Sequence, residues 1–233
     1  MLDFHSHILP EIDDGAQSVE ESVVMLKMLK EQGVKTIALT SHYIAMDESP
    51  DAFLQRREQA YEILKAELEK EADEMPKLLL GAEVYYYPNI CKMDELSKLT
   101  LSDTGLLLLE MPMAPWGEYT IKEITDLVNS TNIQVVIAHI ERAIKYQKKD
   151  TIQRLIDNGV LMQVNASFFI TKSTRRKALK MLKNDQIHFI GSDCHNVKYR
   201  PPKIDEALSI IENKFSKEFV NEFIANQNSY LVK

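Results

Sequence analysis

Seven short apolar runs alternate with seven longer stretches of helical periodicity, and that alternation constrains the fold more than any other feature of the chain. The apolar runs are Met1 to His7, Val34 to Thr40, Leu78 to Leu80, Leu106 to Leu109, Val135 to Ala138, Val160 to Val164 and Ile187 to Ile190. Helical spacing follows Ser18, which can cap a helix with Glu21 three residues on, and Gly33 ends that helix. Further helices are expected from Asp51 to about Asp73, over Thr120 to Asn129, Thr151 to Asp157 and Arg175 to Leu182, and near Ile204 to Glu212 and Lys217 to Ile224. Strand and helix repeated about seven times argue for a parallel sheet with helical crossovers.

The strand ends carry the chemistry. His5 and His7 close the first strand; on an extended chain Asp3, His5 and His7 would share one face and Phe4 and Ser6 the other. His42 follows the second strand, Glu83 the third, Glu110 the fourth and His139 the fifth. The sixth ends at Asn165, which is no obvious ligand, and Asp193 and His195 follow the seventh. In a closed parallel barrel all these ends lie on one rim, where active sites sit. In an open sheet only the strands near a switch point share a site. Ligand-type residues on six strands of seven therefore favour closure. Imidazole and carboxylate without a thiolate motif suit Mn²⁺, Fe or catalytic Zn²⁺ rather than a structural zinc knuckle. The residues exceed what one ion needs and fit two or three. Such clusters produce a hydroxide nucleophile at neutral pH and clamp phosphoryl oxygens.

The bulk numbers narrow the class. The chain has 233 residues, 45% of them hydrophobic, which suits one globular domain over 1–233. A net charge of −7 gives no support to nucleic-acid or anionic-membrane binding. No apolar run approaches a membrane span, and no signal peptide precedes the first strand. Cys91 and Cys194 form no disulfide framework. A cytoplasmic location is the expectation.

His5-Ser6-His7, Asp13-Asp14-Gly15, Ser41-His42-Tyr43, Gly81-Ala82-Glu83, Glu110, His139-Ile140-Glu141-Arg142 and Ser192-Asp193-Cys194-His195 together resemble the PHP (polymerase and histidinol phosphatase) superfamily. His7 to Ala16, Gly81 to Tyr86, and Asp-Cys-His with Arg200-Pro201-Pro202 behind it narrow the resemblance. They are similar to the bacterial manganese-dependent protein-tyrosine phosphatases of capsule and exopolysaccharide clusters. Ser41 and Ile140 stand where that family usually has proline, and neither change removes a ligand.

The resemblance implies a distorted (β/α)7 TIM-like barrel with three divalent ions, Mn²⁺ foremost, at the strand C-termini. It implies that His5, His7, Glu83 and Asp193 hold one ion, and that Glu83 bridges to a second shared with Glu110 and His139. His42 and His195 would hold the third, with Asp14 rather than Asp13 as acidic partner. It places phosphate-binding arginines at Arg142 and Arg200. The implied activity is metal-dependent hydrolysis of phosphotyrosine on a bacterial tyrosine kinase that regulates polysaccharide synthesis. A small-molecule phosphomonoesterase, such as histidinol-phosphate phosphatase, would need the same metals. A non-catalytic PHP module would show decayed ligands, which this chain does not.

Other conspicuous residues are expected to be structural. Cys194 alternates away from Asp193 and His195 on a strand end, so packing is expected of it. Cys91 is read as an ordinary apolar residue. His188 begins a strand instead of ending one. Tyr85, Tyr86 and Tyr87 are expected as pocket wall or core, and Trp116 either faces substrate or pins its loop.

Overall fold

Residues 1–72 and 74–232 are described in the computed structural model. The strands are β1 (Leu2–Asp3), β2 (Thr36–Leu39), β3 (His42–Tyr43), β4 (Lys77–Leu80), β5 (Glu83–Tyr85), β6 (Leu106–Glu110), β7 (Gln134–Ile137), β8 (Leu161–Asn165) and β9 (Phe189–Gly191). All pairings are parallel, in the orders β1-β2-β4 and β3-β5-β6-β7-β8-β9.

Nine segments make seven staves, because β2 continues into β3 and β4 into β5. Gly81 N–H donates to Leu39 O (3.0 Å) and Glu83 N–H to Ser41 O (3.0 Å), bridging the short breaks. The last stave then meets the first. Phe4 N–H donates to Ile190 O (3.3 Å), Asp193 N–H to His5 O (2.8 Å) and His7 N–H to Cys194 O (2.9 Å). These bonds close the sheet into a distorted seven-stave barrel.

Alternation along the staves separates two apolar layers. Leu2, Phe4, Ala38, Leu79, Leu108, Val136, Leu161 and Phe189 belong to one buried cluster, one or two from each stave, and fill the barrel. Phe4 stacks on Phe189 with ring centroids 3.9 Å apart. Burying one such ring stabilises by roughly 1.5–3 kcal/mol. Ile37, Leu39, Leu107, Leu109, Val135, Ile137, Met162 and Val164 point the other way, into the layer beneath the helices.

That outer layer is completed by α1 (Val19–Glu31), α2 (Pro50–Leu68), α3 (Glu118–Ser130), α4 (Ile140–Ala143), α5 (Thr151–Asp157), α6 (Ala166–Ile170), α7 (Lys172–Lys183), α8 (Ile204–Lys214) and α9 (Lys217–Ser229). Ser18 does cap α1, its side chain accepting from Glu21 N–H. The helix expected to reach about Asp73 stops at Leu68, and Asp73 lies outside the described residues. No described helix is long and apolar enough to cross a membrane.

The expected facing of the first strand needs correction. Asp3 does not join His5 and His7. Its carboxylate accepts from Ser192 N–H (2.7 Å), Ser192 Oγ–H (2.6 Å) and His5 N–H (3.3 Å). Regular pairing ends at Asp3, so strict alternation does not carry through to the histidines. Gly191 makes room for the change: a Cβ there would lie 2.5 Å from His5 Cβ.

Candidate metal centre

The rim brings together all nine expected ligands. Three groups have ligand atoms mutually within 4.8 Å: His5, His7 and Asp193; His42, Glu83 and Glu110; and His7, Asp14, His42 and His195. His139 joins them, with Nε2 2.8 Å from Glu83 Oε1 and 3.5 Å from Glu110 Oε1. Glu83 is the hub, 1% exposed, with His5, His7 and His42 nitrogens 3.1, 3.3 and 3.0 Å from its Oε2.

Two observations fit cations better than hydrogen bonds. His5 Nε2 and His7 Nε2 stand 3.0 Å apart. Two ligands at right angles on an ion with ~2.1 Å bonds lie about 3 Å apart. Glu83 Oε2, despite its three nitrogen neighbours, is buried with no aligned hydrogen bond. The donor set also holds its imidazoles as a metal site requires. His5 Nδ1 lies 3.3 Å from Gln163 Oε1, His7 Nδ1 2.8 Å from Asp13 Oδ2, and His195 Nδ1 3.0 Å from Asp193 O. A proton held on Nδ1 toward each oxygen leaves the Nε2 lone pair for a cation.

The two neighbouring aspartates divide the work. Asp13 is spent on orientation: besides His7 it accepts from His42 N–H (3.0 Å) and Gly15 N–H (2.9 Å). Asp14 Oδ1 instead faces His42 Nε2 and His195 Nε2, each at 3.4 Å. Gly15 lets the loop wrap this tightly, since a Cβ there would sit 2.2 Å from His7 O. His139 and Asp193 both take left-handed backbone conformations, φ 28° and 52°. Such positions cost about 1–3 kcal/mol each and cluster at functional sites.

The electrostatics follow from packing acids among imidazoles. Burial opposes charge on His5, but Glu83 and Asp193 outweigh it and push the imidazole up to about 9. Burial likewise opposes charge on His7, and Asp13 and Glu83 push it up to about 9. Glu83 would be raised by burial, yet His5, His139 and His42 hold it well below the usual carboxylate range. Glu110 is raised by burial and by the charge of Glu83. A divalent cation entering here displaces protons from His5 and His7, so its affinity falls as pH falls.

Both arginines reach the centre through one carboxylate. Arg142 Nη2 pairs with Asp193 Oδ2, and Arg200 Nη2 with Asp193 Oδ1 at 2.8 Å. Glu141, the alternative partner for Arg142, is instead turned to Asn165 N–H (3.2 Å).

Sequence reasoning missed the contribution of the sixth stave. Gln163 Oε1 accepts from His139 N–H (2.6 Å) and faces His5; Gln163 Nε2 donates to Asn165 Oδ1 (3.0 Å), and Asn165 Nδ2 donates to Asp193 Oδ2 (2.7 Å). The available signal was Gln163 and Asn165 at alternate positions of an otherwise apolar strand, facing inward with Leu161. Gln163→Leu is expected to weaken metal binding by roughly 10–100-fold, the range for partners that orient ligands. Metal titration of the variant checks this; an unchanged affinity would reduce Gln163 to packing.

Other conspicuous residues lie apart from the chemistry. Cys194 is fully buried, and burial pushes its thiol well above the usual range, the opposite of an activated nucleophile. Cys194→Ala is expected to retain most phosphatase activity. A loss of several orders of magnitude with fold and metal content intact would restore a thiol mechanism. Cys91 is exposed, not packed, on a short turn. His188 Nδ1 accepts from Met162 N–H (3.0 Å), far down the barrel wall from the strand ends. Trp116 pins its loop, donating from Nε1 to Pro112 O (2.9 Å). Tyr86 is buried against Glu123 (2.7 Å), while Tyr85 is 38% exposed beside Glu110 in the register.

Comparison with known proteins places the chain in a family. The family model for capsular polysaccharide synthesis, CpsB/CapC, matches residues 1–233. Tyrosine-protein phosphatase CpsB of Streptococcus agalactiae serotype V is 34% identical, over 99% of this chain and 98% of that protein. Tyrosine-protein phosphatase YwqE of Bacillus subtilis is 30% identical, over 100% of this chain and 91% of that protein. One solved chain superposes with a TM-score of 0.86 at 30% identity, covering 99% of this chain and 94% of that one. It comes from crystal structures of YwqE from Bacillus subtilis and CpsB from Streptococcus pneumoniae, described as unique metal-dependent tyrosine phosphatases. The full-length family match and the relatives above 30% identity establish that this chain belongs to the CpsB/CapC family of capsular polysaccharide synthesis.

Proposed function

We propose that the chain is a metal-dependent protein-tyrosine phosphatase acting on a tyrosine-phosphorylated bacterial kinase that controls capsular or exopolysaccharide synthesis. The observation that carries this reading is the convergence of two arginines and the ligand cluster on Asp193. A phosphate-binding fork and a cation-binding cluster thus share one point. The activity and the link to capsule synthesis draw support from the names of the relatives. The reading treats 1–233 as one phosphatase domain working in the cytoplasm.

The ligand groups suit three divalent ions, with Mn²⁺ first and Fe or Zn as alternatives. His5, His7, Glu83 and Asp193 would hold one ion, and Glu83, Glu110 and His139 a second. His42, His195 and Asp14 would hold the third. When bound, such ions supply a hydroxide nucleophile from water at neutral pH and a clamp on phosphoryl oxygens. Arg142 and Arg200 bind the remaining phosphoryl oxygens, for which the guanidinium fork is matched in geometry. Gln163, Asp13 and the Asp193 carbonyl keep protons on the Nδ1 atoms and the Nε2 atoms free. The leaving phenolate, with a pKa near ~10, needs less protonation than an alkoxide.

Parallel turnover of a phosphotyrosine peptide and histidinol phosphate tests the substrate class. The expected result is a kcat/KM at least about tenfold higher for the peptide, equivalent to ~1.4 kcal/mol of transition-state preference. The reverse order would make this a small-molecule phosphatase on the same metals.

A further inference from the structure

The chain is acidic overall, at −7, yet one of its helices is wholly basic. α7 carries Lys172, Arg175, Arg176, Lys177, Lys180 and Lys183 and no acid. All of these except Lys177 line one groove of about 460 Å³ on the outer wall of the barrel, together with Leu179. Their spacing puts them on one face of the helix, roughly 17 Å long at ~1.5 Å per residue. Lys214 and Phe215, where α8 ends, complete the groove. Leu179 and Phe215 are half-buried and packed against the core, while Lys172, Arg176, Lys180, Lys183 and Lys214 are exposed. The groove therefore has a recessed apolar part and a cationic rim.

Only one of these cations has a task in the fold. Arg175 closes α6, its Nε donating to Phe169 O (3.0 Å) and its Nη2 to Ile170 O (2.7 Å). The other lining cations form no ion pair among the described residues. Their arrangement works against the helix that bears them. Lys172 and Arg176 are like charges four residues apart, as are Arg176 and Lys180, and such pairs repel. Lys172 also stands in the first turn, where the helix dipole favours an acid and none is present. Local preferences broken without a compensating partner inside the fold mark a functional surface.

We infer that the groove between α7 and the end of α8 docks an acidic segment of a partner polypeptide, whose apolar side chains seat on Leu179 and Phe215. Charge complementarity calls for an anion there. The remainder of the molecule is strongly acidic and repels an extended polyanion, so a short segment matching the local patch is favoured over a nucleic acid or an anionic bilayer. A phosphodiester backbone has no apolar group for Leu179, and a bilayer keeps its apolar part beneath the head groups, out of reach of a recessed floor. No candidate metal ligand or phosphate-binding arginine lies on α7 or α8, so the inference stands apart from the phosphatase reading.

The test is fluorescence anisotropy of the full chain with labelled probes at low ionic strength. The first probe is an amphipathic Glu/Leu peptide of about twelve residues, the helical length of the basic face. The second replaces its leucines with serine, and the third is a single-stranded oligonucleotide of equal charge. Wild type is expected to bind the Glu/Leu peptide, and the Glu/Ser peptide about tenfold more weakly, the scale of one buried leucine. Arg176→Glu with Lys180→Glu is expected to weaken the Glu/Leu peptide at least about tenfold, the scale of lost central contacts. Lys177→Glu, on the same helix but outside the groove, should leave the affinity unchanged, which separates a local site from net charge. The double variant relieves the repulsion along α7, so it should unfold at no lower temperature than wild type. No binding of the Glu/Leu peptide, equal affinity for the two peptides, or an equal loss with Lys177→Glu would overturn the docking groove. Tighter binding of the oligonucleotide, or cosedimentation with phosphatidylglycerol vesicles without peptide binding, either one lost in the double variant, would give the groove to a nucleic acid or a membrane and overturn it as well.

Discussion

Replacing Glu83 with alanine is expected to strip metal from the centre and lower kcat/KM on a phosphotyrosine peptide by far more than ~100-fold, the upper end for residues that merely orient ligands. The reason is its position. One oxygen faces His139 at 2.8 Å, and the other stands within 3.3 Å of nitrogens of His5, His7 and His42. No other described carboxylate lies among four histidines. In the proposed arrangement it serves two ions, so its removal weakens both. Glu83→Gln keeps the shape and removes the charge, and it should fail nearly as badly if charge is what holds the ions. Metal content by elemental analysis, read with the kinetics, checks both variants. Unchanged metal content and rate would show that the hub is an ordinary buried carboxylate among histidines.

Arg142→Ala and Arg200→Ala are each expected to retain fold and metals and to lose roughly a hundredfold or more in kcat/KM, the scale of one electrostatic donor removed from a transition state. The loss should fall mainly on kcat, because contacts that tighten as charge develops affect the transition state more than the bound substrate. Both side chains are about one-third or more exposed, 35% and 40%, so they are free to swing to an arriving phosphate. Lysine at either position should recover part of the loss, keeping charge without the two-point fork. Near-wild-type kinetics for both alanine variants would leave the arginines as braces for Asp193.

Much of this was legible from strand ends. A parallel barrel delivers every strand's C-terminus to one rim, so His5, His7, His42, Glu83, Glu110, His139, Asp193 and His195 could be placed together before their distances were known. What sequence could not resolve was the choice between adjacent or similar groups. Asp13 and Asp14 differ only in which way a loop turns, and Gly15, packed on His7, sets that turn. Gln163 and Asn165 are not common ligands, and their role exists only because β8 lies next to β7 and β9. Asp3 matched the His5 and His7 period, yet the chain leaves regular pairing before His5 and sends that carboxylate to Ser192. The short helices α4 and α6 follow strand ends in runs too brief for helical periodicity to register.

The most direct test of the central claim is turnover of a phosphotyrosine peptide by rigorously metal-stripped protein, before and after divalent ions are returned. Activity should vanish on stripping and return with Mn²⁺ more fully than with Zn²⁺ or Mg²⁺, with metal content rising in step. Full activity in the stripped protein would contradict the account, because the account has the metal ions supply the nucleophile from water.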